Sequence, residues 1–285
     1  MIAISIVYTK ITGTEFSSIP LRLHTLFFLV LISILNWHFE VLKWKTLVGT
    51  ITKTKYHTAF SQSLAAHTAA IITPNKIGEY GAKALFYKKS LRKKVLGLTF
   101  LGNAYQLIIT VLFGALGIFF HLQVNKVLPF NTLLILSFYA LIISGIYYYL
   151  YASSKLKKIT AFLKKVSTKT QIKIGFYSFL RYLLFSFQYY YFLLLFGVEV
   201  SYAVLFPLIW LMYFISSCIP SFSIADFAIK GSVAIFLFSE VGIPESTIVA
   251  VAFLMWVLNF ALPAIIGGIY IIRFKTQNQL DYDTN

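Results

Sequence analysis

Charge, acidic residues and cysteine are all scarce in this sequence. Only 12% of its 285 residues are charged, and nine are Asp or Glu, whereas soluble domains carry about a quarter charged residues. The single cysteine, Cys218, excludes an internal disulfide and any cysteine-rich metal site. No phosphate-binding G-x-x-x-x-G-K-[ST] loop, HExxH motif or activated nucleophile is found. We therefore expect no cofactor, no bound metal and no enzymatic activity.

Hydrophobic residues make up 59% of the chain, and its mean hydropathy is +0.79. A water-soluble fold could not bury this much apolar surface, so the composition predicts an all-α integral membrane protein. A spanning helix needs about 20 mostly apolar residues. Five segments approach or exceed that length: Leu21–Trp37, Val95–Leu122, Asn131–Tyr151, Ile172–Gly197 and Thr247–Ile272.

Four shorter apolar segments form two pairs, each joined at a proline. His57–Thr73 and Ile77–Lys89 meet at Pro74, and Tyr202–Ile219 and Ile224–Ser239 meet at Pro220. Proline lacks an N–H and disfavours helix in the preceding residue, so each pair should be a broken hairpin. Whether the hairpins are re-entrant or cross the bilayer fully is left open by the sequence.

The 25 Lys and Arg residues give a net charge of +16 and cluster in alternate loops. Basic residues are concentrated in 38–56, 88–94, 155–173 and the tail from Arg273. The positive-inside rule makes these loops and the C-terminus cytoplasmic, and it accounts for the charge better than nucleic-acid binding does. The first hairpin then starts and ends inside and the second outside, as in inverted-repeat transporters.

The two hairpins share an internal sequence match. IGEYGAK begins at Ile77 and IADFAIK begins at Ile224. Both place an acid and a lysine four residues apart, so Glu79 can pair with Lys83 and Asp226 with Lys230. One charge at the centre of a membrane helix costs about 2.5–3.5 kcal/mol, which makes such pairing nearly obligatory. The pairs could be structural locks or parts of a gate, and both interpretations stay open.

A helix that restarts after a break directs its positive dipole end toward the break, and such ends attract anions. Lys76 would add charge, and nearby side chains could add hydrogen bonds. Arg181, in a different span, is a secondary candidate because intramembrane charges usually face the bundle interior. The candidates for substrate binding or gating are Pro74, Asn75, Lys76, Gly78, Glu79, Lys83, Pro220, Ser221, Ser223, Asp226, Lys230 and Arg181.

Three further polar groups in the spans have structural interpretations. Glu40 and Lys43 are three apart and could pair, which we interpret mainly as interfacial anchoring. Two polar pairs should face the bundle interior, namely Asn103 with Gln106 and Arg181 with Gln188. For the amide side chains we favour hydrogen bonding between helices over a role in a transport path.

The segments TPNKIGEYGAKALF, IPSFSIADFAIKG and LNWHFEVLKWKTLV resemble the flippase-like membrane family related to the lysylphosphatidylglycerol synthase transmembrane region, also called UPF0104. The resemblance covers about Leu21 to Arg273. It implies an eight-span-like bundle with two re-entrant hairpins that moves lipid between leaflets. Ile224, Ala225 and Asp226 stand where glycines and a glutamate are more typical of that family.

The resemblance does not extend to enzymatic activity, because we expect the synthase domain of bifunctional relatives to be absent from a chain that ends twelve residues after Arg273. The expected architecture is one membrane domain in the bacterial inner membrane, a polytopic helical bundle with two proline-broken, re-entrant hairpins in an inverted repeat. Its parts are a short N-terminal segment 1–20, a first repeat 21–122, a linking span 131–151, a second repeat 172–273 and a cytoplasmic tail 274–285.

The expected function is movement of a phosphate-bearing lipid, aminoacyl-lipid or polyprenyl-linked lipid. An ion-coupled small-solute transporter and a non-transporting partner of a cytoplasmic lipid or glycan synthase are the alternatives. Membrane lipids are the expected partners and nucleic acid is not, while a homo-oligomer and a cytoplasmic synthase stay open.

Overall fold

The computed structural model describes residues 23–71, 73–74, 76–125, 148, 161–162, 165–220 and 225–283. Within these ranges the chain is helical and contains no β-strand. Three of the described helices are long and apolar enough to cross a membrane, namely Leu23–Val48, Lys89–His121 and Glu245–Arg273. The all-α prediction is thereby confirmed for the described residues, and these three helices are candidate membrane spans. Segment 1–20 and, apart from Tyr148, segment 131–151 lie outside the described residues.

The described helices fall into two groups along the chain. The first group is α1 (Leu23–Val48), α2 (Tyr56–Ala70), α3 (Ile77–Leu85) and α4 (Lys89–Asn125). The second group is α5 (Thr168–Leu195), α6 (Tyr202–Cys218), α7 (Asp226–Phe238), α8 (Glu245–Trp256) and α9 (Leu262–Asp283). A 3₁₀ turn, Ser239–Val241, follows α7, and a π turn, Val257–Ala261, joins α8 to α9.

Local sequence explains several helix ends. Ser167 and Ser201 cap α5 and α6 with their side-chain oxygens, which accept from the backbone N–H of Thr170 and Ala203, a role that serine commonly fills. The basic stretch 88–94, interpreted above as a loop, instead forms the first turns of α4, which begins at Lys89. The hairpin arm predicted to reach Lys89 accordingly ends at Leu85.

Helices from the two groups pack against each other. α1 lies antiparallel to α5, since Phe28 contacts Tyr191 near one end of the pair and Glu40 contacts Arg181 toward the other. α2 packs against α9, and α6 packs against α4. Each long hairpin arm therefore lies against a helix of the opposite group.

Glycines permit close approach at two of these crossings. A Cβ added at Gly267 of α9 would lie 2.1 Å from the Leu64 carbonyl oxygen of α2. A Cβ added at Gly114 of α4 would lie 2.5 Å from Cβ of Phe214 in α6. Small residues at such crossings let helix backbones approach, as is common in membrane bundles.

Candidate functional site

A cavity of about 400 Å³ lies inside the bundle, where the starts of α3 and α7 face the middle of α1 and α5. α3 contributes Glu79 and α7 contributes Asp226 and Lys230 to its wall, while Lys76 enters from the residue before α3. Its volume is within the range of small-molecule pockets. The two hairpins therefore meet at one polar cavity.

Glu40 is the centre of the ion pairs on one side of this cavity. Its carboxylate contacts the Arg181 guanidinium, lies 2.7 Å from the Lys43 ammonium and lies 4.0 Å from that of Lys83. Glu40 and Lys43 are both buried. Because buried charges must be compensated, this carboxylate holds three cations from α1, α3 and α5 together.

The Glu79–Lys83 pair predicted from the spacing forms on α3. The Lys83 ammonium donates to the Glu79 carboxylate at 2.7 Å, and it also lies 4.4 Å from the centroid of the Trp44 ring. Such a position over an indole face is favourable for a cation. Lys83 thus sits between two carboxylates, with Glu79 near and Glu40 farther away.

The second predicted pair forms on α7, where the Lys230 ammonium donates to Asp226 at 2.5 Å. Its side chains are 34% and 29% exposed, whereas those of Lys83 and Glu79 are 4% and 13% exposed. The two hairpins therefore carry equivalent ion pairs in different environments, one enclosed and one open.

A chain of amides connects the ion pairs to the bundle core. Arg181 Nε donates to Asn36 at 3.0 Å, and Asn36 Nδ2 donates to Asn259 Oδ1 at 3.0 Å. Asn259 Nδ2 donates to Gln188 Oε1 at 2.8 Å, and Gln188 donates to the Ser33 hydroxyl at 2.8 Å. The inward-facing polar faces predicted for Arg181 and Gln188 are therefore present, and they join α1, α5 and the π turn.

Asn259 lies in the π turn, a widened helical turn of a kind that is frequent at functional sites. Side chains from the first group bond its backbone oxygens. Trp37 Nε1 donates to the Asn259 oxygen and His67 Nε2 bonds the Phe260 oxygen, both at 3.1 Å. The turn is held by α1 and α2 rather than only by its own helix.

Lys76 differs from the other cations around the cavity. It is exposed, and its backbone adopts a left-handed conformation with φ of 58°, unusual for a residue with a side chain. Its charge interacts electrostatically with both Glu79 and Asp226. Its ammonium nevertheless forms no ion pair with any carboxylate in the described part of the chain.

The charged groups of the cavity carry an excess of two positive charges. Five cations and three carboxylates lie in the wall or are paired directly to it, namely Lys43, Lys76, Lys83, Arg181 and Lys230 against Glu40, Glu79 and Asp226. Every one of these carboxylates has a cationic partner. The remaining positive potential suits an anionic ligand.

The family model described as "Lysylphosphatidylglycerol synthase TM region" matches residues 2–267. The chain belongs to this family. It is therefore an integral membrane protein of a family related to lipid handling. No curated protein and no solved structure is significantly similar to the chain.

The other residues predicted for the site do not line the cavity or lie outside the described residues. Gly78 is at the α2–α3 contact, where an added Cβ would lie 2.1 Å from the Ala69 carbonyl oxygen. Pro74 and Pro220 are exposed in the hairpin connections and do not line the cavity. Asn75, Ser221 and Ser223 lie outside the described residues.

Two parts of the site were missed from the sequence. Glu40 and Lys43 were interpreted as an interfacial anchor, yet they line the cavity and are buried. Asn259 was not singled out, although an amide in a long apolar segment is a recognisable signal. Their partners on distant helices could not be deduced from local spacing.

Proposed function

We propose that this protein is a flippase-like transporter that moves a phosphate-bearing lipid between leaflets, with the cavity as the site for the headgroup. The observation that carries the proposal is a polar cavity with two excess positive charges inside a membrane bundle of a lipid-handling family. A 400 Å³ cavity accommodates a headgroup and leaves the acyl or prenyl chains in the bilayer.

An inverted repeat is part of this proposal. Glu79 and Asp226 are separated by 147 positions, and the same offset carries α1 onto α5 and α2 onto α6 within two residues at each end. The packing supports a repeat, because the first helix of each hairpin lies against the last helix of the other group. α2 packs against α9, and α6 packs against α4. Glycine contacts occur at both crossings.

Re-entrant hairpins are also proposed. At 1.5 Å per residue, the 15 residues of α2 and the nine of α3 reach about 22 and 14 Å. The 17 residues of α6 and the 13 of α7 reach about 26 and 20 Å. All four are shorter than the roughly 30 Å hydrocarbon core, and broken helices are tolerated at membrane depth where they line a polar cavity.

In this mechanism the phosphate binds at Lys76, close to the N-terminal ends of α3 and α7. Both helices direct their positive dipole ends toward their starts. Lys83 supplies the moving contact of a gate, since it bonds Glu79 and has Glu40 as a second partner 4.0 Å away. Asp226–Lys230 is the corresponding pair of the second hairpin.

The proposal also includes location and partners. The protein would lie in the bacterial inner membrane with a cytoplasmic C-terminus, because the basic loops would be inside. It would act without synthase chemistry of its own, and a cytoplasmic synthase or a second copy of the chain could associate with it.

A leaflet-translocation assay in proteoliposomes tests the function. The wild type should move fluorescently labelled phosphatidylglycerol faster than empty vesicles, while Glu79→Gln and Lys83→Ala should be slow. Lys53→Ala, which removes an exposed lysine away from the cavity, is the matched control and should retain activity. A wild type that moves no more lipid than empty vesicles, for each phospholipid tried, would refute transport of those lipids.

A further inference from the structure

His67 on α2 is a titratable side chain of the cavity wall that the gate described above does not use. The structure describes all five histidines of the chain, and His67 is the one that lines the cavity. Its ring lies between those of Trp37 and Phe260, at centroid distances of 4.8 and 4.5 Å. Histidine changes charge near neutral pH, and ionisable residues at membrane depth often form proton pathways.

The two ring nitrogens of His67 have different surroundings. Nε2 lies 3.1 Å from the Phe260 backbone oxygen, which can only accept, so Nε2 carries the proton of this hydrogen bond. Nδ1 then holds the lone pair. It has no hydrogen-bond partner among the described residues, yet it is not fully enclosed, unlike the Ser63 hydroxyl four residues earlier. Nδ1 is therefore an accessible base on a residue of the cavity wall.

The position of His67 along α2 places it deep in the proposed hairpin. It lies eleven residues beyond Tyr56, where α2 begins, which is about 16 Å along a helix axis. The hydrocarbon core is about 30 Å thick. An arm that starts at the membrane surface thus carries this imidazole to about half the depth of the bilayer, where alternating access exposes a site first to one side and then to the other.

Charged groups from several helices surround His67. Lys76, Glu79 and Arg181 interact with it electrostatically. No carboxylate in the described part of the chain forms an ion pair with it, so the uncharged imidazole fits this state of the protein. On α9, Tyr270 contacts the opposite end of α2. The other titratable groups of the cavity wall are Glu40, Lys43, Tyr80, Tyr189, Tyr213, Asp226 and Lys230.

A proton on Nδ1 would change the ion pairs of the gate. A buried imidazolium needs a carboxylate, and Glu79 is the acid that interacts with His67 electrostatically. Glu79 accepts from Lys83 at 2.7 Å, while Lys83 has Glu40 as a second partner 4.0 Å away. Attraction of Glu79 toward a charged His67 would weaken its bond to Lys83 and favour the contact between Lys83 and Glu40. Loss of the proton would restore the first arrangement.

The second hairpin lacks an equivalent histidine. In the proposed repeat, the offset that carries Glu79 onto Asp226 carries His67 onto Phe214 of α6. An aromatic ring without a titratable nitrogen thus satisfies the packing of the corresponding arm. The difference between the two hairpins favours a chemical role for His67 over a role in packing alone.

We infer that Nδ1 of His67 is a proton-binding site that couples a proton gradient across the membrane to the Lys83 gate. The Nδ1 lone pair forms an N–H bond with a proton taken from the aqueous phase on one side, and this bond breaks when the proton leaves to the other side. The link to lipid movement rests on the proposed function. Proton binding at His67 rests on the geometry of its two nitrogens.

Leaflet translocation in an imposed pH gradient tests the coupling. Wild-type proteoliposomes should move labelled phosphatidylglycerol at rates that differ several-fold between opposite gradients of about one pH unit. His67→Gln keeps an N–H donor for the Phe260 oxygen but cannot bind a proton, so its rate should not depend on the direction of the gradient. His57→Gln, which replaces an exposed histidine of the same helix, should respond as the wild type does. A wild type without a response, or a response retained by His67→Gln, would overturn the inference.

Nuclear magnetic resonance of the purified chain tests proton binding without any transport. When the other four histidines are replaced by glutamine, the remaining imidazole signal belongs to His67, so the assignment needs no variant at this position. The signal should change from that of a neutral ring with the proton on Nε2 to that of an imidazolium as the pH is lowered. A neutral ring throughout the range from about pH 8 to about pH 4 would refute the site.

The two experiments separate this inference from the transport proposal. If His67 binds a proton but the wild type moves no lipid in either gradient, the proton site stands and the transport proposal fails. If the wild type moves lipid equally in both gradients, transport stands and the coupling through His67 fails.

Discussion

The guanidinium of Arg181 on α5 contacts the carboxylate of Glu40 on α1, a contact between residues 141 positions apart in the chain. The same carboxylate binds Lys43 at 2.7 Å. Removing one partner of a buried ion pair leaves an uncompensated charge, which is far more costly than the pair itself is stabilising. The stability of the two-group bundle should therefore depend on this single acid.

Glu40→Gln should destabilise the protein by about 3–5 kcal/mol, because it leaves Arg181 and Lys43 without their carboxylate. Thermal unfolding in detergent measures the effect as a large drop in Tm. Glu199→Gln, which neutralises an exposed acid, is the control and should be near neutral. Equal unfolding temperatures for the two variants would contradict the central role of Glu40.

Glu79→Gln should be more destabilising than Asp226→Asn, although the two acids hold equivalent positions in the hairpins. The Glu79–Lys83 side chains are almost enclosed, whereas those of Asp226 and Lys230 are about a third exposed, and exposed pairs contribute about 0–1 kcal/mol. Thermal unfolding of the two variants side by side decides the order. A larger effect of Asp226→Asn would show that enclosure does not set the strength of these pairs.

Gly267→Ala should separate α2 from α9, because its new methyl would lie 2.1 Å from the Leu64 carbonyl oxygen and neither backbone can easily retreat. Overpacking of this kind typically costs about 1–3 kcal/mol. Gly268→Ala is the matched control, since its nearest neighbour would be a Thr68 methyl at 4.0 Å. Comparable Tm values for the two alanine variants would argue against the close crossing.

Asn259→Leu should destabilise the bundle, because Asn36 Nδ2 loses its acceptor and Gln188 Oε1 loses a donor. Each buried unpaired group costs about 1–3 kcal/mol. Asn103→Leu removes only the 3.3 Å hydrogen bond that Asn103 Nδ2 donates to the Tyr80 hydroxyl, so it should have a smaller effect. Hydrogen exchange of α8 and α9 would report the loss locally, and unchanged protection there would contradict the proposed amide chain.

Cysteine labelling tests the proposed orientation. In a Cys218→Ser background, a cysteine at Lys53 should react with a membrane-impermeant reagent only in inverted vesicles, and one at Glu199 only in intact cells, because the first loop is basic and the second is not. Both positions are exposed. Labelling of both from the same side would contradict the inverted topology.

Local patterns predicted much of this fold. Helix locations follow from apolar segments and prolines, and the pairs Glu79–Lys83 and Asp226–Lys230 follow from four-residue spacing, because helical geometry brings such residues together. The contacts Glu40–Arg181 and Asn36–Asn259 span 141 and 223 positions, and only the packing of distant helices creates them. Glu40 was misinterpreted as an anchor because its sequence neighbourhood, rich in tryptophan and lysine, is also typical of a membrane interface.

The π turn at Val257–Ala261 sets the rotational orientation of α9, the helix that follows it. Asn259 must face the cavity while Gly267, eight residues later, must face the backbone of α2. Successive α-helical residues are turned by about 100° around the axis, so deleting one residue from the turn would swing Gly267 away from Leu64 and present a side chain in its place. The widened turn thus fixes the angle between the side of the α8–α9 segment that lines the cavity and the side that packs against α2.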